Sequence, residues 1–166
     1  MSSFTGNLYS VDLGLTDEFE VTEPISFYST MADKGLKTTL LPGFKSDGDS
    51  ITWYLKPIVR GSARRFQRAY AFHDCWARVF KFYYLLNPKL KLLPEHSECP
   101  HSYKMGNLLL DEALKVLEMN AYTRAKIYYG LQIGCNASDD LRKLENACAF
   151  STFEIVEIID GKEKTS

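Results

Sequence analysis

Phe66, Tyr70, His73, Ala77 and Phe80 recur at steps of three and four. That spacing draws one face of an amphipathic helix. Ser62 is placed to cap it and Asn87-Pro88 to end it, so the pattern predicts a helix over 62–86. A second apolar stripe, Leu109, Leu110, Ala113, Leu114 and Leu117, predicts a helix over 104–119. A third is predicted over Tyr122–Ile133, with Gly134 suited to its C-terminal end. Ser138-Asp-Asp supplies a cap and first-turn acids for a fourth, ending near Phe150.

The rest of the chain reads differently. Ile25–Thr30 and Leu36–Leu41 are strand-like, and Gly35 in the connection Met31–Gly35 suits a hairpin turn. Pro42-Gly43 ends the second strand. A short strand is expected within Leu8–Leu13 of an otherwise irregular 1–24, and a late one over Phe153–Ile159. Pro57 and Gly61 restrict 50–61 to a short helix or turn, and prolines punctuate a loop over 87–103. The expected fold is α+β. A small antiparallel sheet, built on the N-terminal hairpin, packs on an antiparallel helical pair with two further helices behind. Residues 1–160 form one domain and 161–166 a flexible tail.

Composition bounds this picture. A chain of 166 residues, 45% hydrophobic, makes one domain that buries roughly 70% of its unfolded surface. Net charge is -1, which gives no electrostatic footprint for nucleic acid. Arg60, Arg64, Arg65 and Arg68 are therefore read as a solvated helix face or a protein-contact patch. Tyr83-Tyr84 or Tyr128-Tyr129 would favour a protein interface if exposed together. No apolar stretch approaches the ~20 residues that span a bilayer. Met1-Ser-Ser-Phe-Thr-Gly has neither the basic start nor the apolar run of a signal peptide. The four cysteines, at 75, 99, 135 and 148, show no Cys-x-x-Cys spacing, so reduced thiols in a reducing compartment are expected.

Candidate chemistry concentrates in two polar strings set into apolar sequence. One is Ser46-Asp47-Gly48-Asp49-Ser50; the other is His73-Asp74, flanked by Phe66, Tyr70, Phe72, Trp76 and Phe80. Burying titratable groups costs free energy unless they are paired. His73 is expected to be half-buried near Ala69, Tyr70, Trp76 and Ala77. Asp74 lies about 100° round the helix from it. An imidazole there can act as a general base, as a metal ligand or as a satisfied core residue. Asp74 is also four residues before Arg78 and can pair with it on the surface. A third string, His96-Ser-Glu-Cys99-Pro-His101, holds zinc-type ligands in one loop, but structural zinc sites need four and no second cluster is evident.

The order of strings resembles a known family. Pro42-Gly-Phe44, Ser46-Asp-Gly-Asp-Ser-Ile51, Arg68-Ala-Tyr-Ala-Phe-His-Asp74 and Glu112-Ala-Leu114 are similar to the motifs of domain of unknown function number 1353. That family is encoded by bacteriophages and prophages. The resemblance spans roughly residues 25–133. Asp49 stands where members carry a small residue, Thr52 where they carry proline, and Trp76-Ala77 where they carry Leu-Tyr. Asn107 stands where the second-helix Asp falls, with Asp111 one turn further on as a substitute. The resemblance implies a phage or prophage accessory protein made in the host cytoplasm, open to incorporation in the virion, with other phage or host proteins as partners.

More distantly, the layout is similar to that of secreted calcium-dependent phospholipases. By that likeness His73 would be the general base. Asp74, Asp47 and Asp49 would hold calcium, and Asn107 or Asp111 would orient the imidazole. A hard cation held by oxygens can polarise an ester carbonyl. An amide at Asn107 orients a ring but cannot stabilise imidazolium as a carboxylate does. Two functional readings follow. In one, Asp47, Ser50, His73 and Asp74 form a structural network in a non-catalytic virion, tail or host-interaction component. In the other, His73 drives calcium-assisted hydrolysis of a lipid or cell-envelope ester.

Overall fold

The computed structural model describes residues 1–12, 19–30, 35–46, 66–76, 103–134, 152–159 and 162–163. Eight strands and three helices fall within them: β1 (Ser3–Thr5), β2 (Ser10–Asp12), β3 (Phe19–Val21), β4 (Ile25–Ser29), β5 (Leu36–Leu40), β6 (Lys45–Ser46), α1 (66–76), α2 (Tyr103–Val116), α3 (Ala121–Gly134), β7 (Phe153–Ile159) and β8 (Lys162–Glu163). The class is α+β, as expected. The predicted helix from Ser138 to Phe150, the segment 50–61, the loop 87–102 and the outer parts of the 62–86 helix lie outside the described residues.

The hairpin β4–β5 is the centre of the larger sheet, whose order is β1-β4-β5-β7-β8, antiparallel throughout. Alternate side chains point to opposite faces of a strand. Ile25, Phe27 and Ser29 are therefore buried on β4, and Leu36, Thr38 and Leu40 on β5. The register pairs these inward sets: Ile25 opposite Leu40, Phe27 opposite Thr38, Ser29 opposite Leu36. The late strand β7 closes on β5, with Phe153 opposite Leu40. Residues 161–166, expected as a frayed tail, include β8, which pairs Lys162 and Glu163 with Ile159 and Ile158.

Four strands went unpredicted: β1, β3, β6 and β8. β2, β3 and β6 form a second antiparallel sheet. A turn at Leu41–Phe44 joins it to the first. Phe44 N–H donates to Leu41 O at 3.2 Å, and Gly43 takes φ +92° after Pro42. Proline at the second position and a positive φ at the third define a type II turn, which requires glycine there. Gly43 N–H also donates to Val21 O at 2.8 Å, and Val21 N–H to Phe44 O at 2.9 Å.

Helix α1 packs on the inner face of the larger sheet through aromatic rings. Phe27 lies 5.6 Å from Trp76 and 6.0 Å from Phe72, and Phe4 of β1 lies 4.6 Å from Phe27, centroid to centroid. Helix α2 adds the predicted stripe of Leu109, Leu110, Ala113, Leu114 and Leu117, all buried. It stops at Glu118, whose φ is +61°. Glu118 N–H donates to Lys115 O and Met119 N–H to Leu114 O, both at 3.0 Å, the paired bonds of a Schellman end. Asn120 then caps α3, its Oδ1 accepting from Thr123 N–H at 2.9 Å. Asp111 Oδ1 and Arg124 Nε, 3.4 Å apart, link the two helices across this turn.

Candidate functional site

Because successive helical residues are about 100° apart, His73 and Asp74 cannot serve one point. The structure sends them to different elements. His73 turns toward α2, where its Nε2 lies 2.9 Å from Oδ1 of Asn107. An amide oxygen only accepts, so this bond places the imidazole proton on Nε2. Asp74 turns toward the second sheet, where Ser46 Oγ donates to its Oδ2. All four side chains are buried: His73 is 4% exposed, Asp74 2%, Asn107 1% and Ser46 0%. The half-buried setting expected for His73 is corrected to a buried one. Asp74 is likewise buried rather than at the surface, and Arg78 lies outside the described residues.

The site is therefore a polar seam between α1, α2 and β6, and the buried apolar residues of all three helices and both sheets belong to one hydrophobic core. A polar group at this depth is tolerated only when bonded. Asn107, one of the two α2 residues that the resemblance offered beside His73, is the one bonded to its ring. Asp111, the alternative on the same helix, instead reaches α3 and pairs with Arg124. Ser46 was not singled out beforehand, although it opens the polar string 46–50 and directly follows a predicted strand and turn. Asp47, Asp49 and Ser50 lie outside the described residues, as do His96, Cys99 and His101.

Other polar ties fix α1 and α2 against the sheet. Trp76 Nε1–H donates to Thr38 Oγ1 at 2.9 Å, which accounts for a buried threonine on the inner face of β5. Glu112 of α2 gathers the opposite end of the hairpin. Its Oε2 accepts from Ser29 Oγ, and its Oε1 accepts from Ser2 Oγ and from Thr30 N–H, the last at 3.1 Å. The glutamate of the Glu112-Ala-Leu114 string thus joins β1, β4 and α2. Tyr70 stands one helical turn before Asp74 and is buried. Its hydroxyl has no hydrogen-bond partner among the described residues. Burial raises the phenol's pKa above its usual value.

The chemical capacity of this arrangement follows from its donors. Asp74 and Ser46 offer oxygens of the type calcium accepts, but calcium takes about six to eight. Among the described residues no group of three His, Cys, Asp or Glu side chains is placed to hold a metal. No helix of the described residues is long and apolar enough to cross a membrane. Arg68, from the predicted basic face, lies over the Phe4 ring at 4.7 Å rather than standing wholly in solvent. Of the tyrosine pair, Tyr129 is exposed and Tyr128 half-buried. No family model, curated protein or solved structure matches the chain.

Proposed function

We propose that this chain is a phage- or prophage-encoded accessory protein, a non-catalytic virion, tail or host-interaction component whose His-Asp pair holds the fold. One observation carries the non-catalytic reading. Adjacent residues His73 and Asp74 are both buried and are bonded to two different elements, Asn107 on α2 and Ser46 on β6. A general base must reach the proton it abstracts. A side chain closed into the core serves better as a fastener that specifies how helix and sheets meet. The phage assignment rests on the order of strings from Pro42 to Leu114 and on their likeness to domain of unknown function number 1353. Synthesis in the host cytoplasm and partnership with phage or host proteins belong to the same proposal.

The calcium-assisted hydrolase is the second reading, favoured by one contact. Asn107, one of the two α2 residues by which the phospholipase-like layout would orient His73, is bonded to its ring. Both readings are tested on purified protein with a short-chain lipid ester and calcium calorimetry. The non-catalytic reading expects hydrolysis at the buffer background in the wild type, in His73→Gln and in Asn107→Asp, with no calcium heat. A calcium-dependent esterase signal lost in His73→Gln and increased in Asn107→Asp would overturn it. Mass spectrometry of purified phage particles separates a virion component from one that stays in the host.

A further inference from the structure

We draw no further inference here: the strongest candidate, the exposed surface patch of Tyr122, Lys126 and Tyr129 along one face of α3, carries nothing because nothing in the structure shows what covers it.

Discussion

His73 Nε2 and Asn107 Oδ1 lie 2.9 Å apart with both side chains closed off from solvent. The bond joins α1 to α2 across 34 residues of sequence. A buried hydrogen bond contributes only about 0.5–1.5 kcal/mol net, but leaving one partner unbonded costs about 1–3 kcal/mol. The seam therefore acts mainly by penalising any packing of α1 and α2 that separates these two groups.

The same asymmetry applies to Ser46 and Asp74. Ser46→Ala removes a donor from a buried carboxylate and adds no bulk. A buried polar group that loses a hydrogen bond costs about 1–3 kcal/mol. A loss of that size in urea unfolding is expected, with the m-value unchanged. An unaltered midpoint would show that Ser46 does not hold Asp74.

Tyr70 gives the opposite sign. Its ring is core, but its hydroxyl is buried without a partner among the described residues. Tyr70→Phe is expected to raise stability by about 1 kcal/mol at neutral pH. Burial also makes the folded protein hold the phenolic proton more tightly than the unfolded chain does. The stability this confers is fully present below the unfolded phenol's pKa of about 10 and is lost as pH rises above it. The wild type should therefore lose more stability than Tyr70→Phe between pH 9 and pH 11. Parallel pH curves for the two proteins would contradict the burial of this hydroxyl.

Glu118 occupies a left-handed conformation, φ +61°, at the Schellman end of α2. Glycine adopts that conformation without a Cβ clash. Glu118→Gly is expected to raise stability by about 0.5–1 kcal/mol, read as a higher thermal midpoint in calorimetry. A lower midpoint would mean that the glutamate side chain contributes more than the backbone strain it imposes.

The parts of the fold legible in the sequence were those with enough residues to show a period. The hairpin strands, β7 and the helix around Leu109–Leu117 announced themselves by their apolar spacing, and the helix around Ile127 by the glycine suited to its end. β1, β3 and β6 have three, three and two residues, too few to show an alternation. Their pairing is decided by distant partners: Phe4 opposite Phe27, and Glu20 opposite Lys45. The site was legible in its members more than in its connections. His73 and Asp74 stood out by type and position, with the offset of about 100° keeping them from one point, while Asn107 entered, beside Asp111, only through the resemblance. The bond from Ser46 to Asp74 and the gathering of Ser2, Ser29 and Thr30 on Glu112 depend on tertiary approach. Separations of 28 to 110 residues leave no local pattern for them.

The most direct measurement of whether the His-Asp seam is structural is the urea-unfolding free energy of His73→Leu. Leucine fills comparable volume and cannot bond Asn107. If His73 fastens α1 to α2, the variant loses about 1–3 kcal/mol, because the buried amide loses its bond to the ring. If His73 is instead kept for chemistry, apolar replacement of a buried polar group stabilises the protein or leaves it unchanged. A midpoint at or above that of the wild type would contradict the structural role.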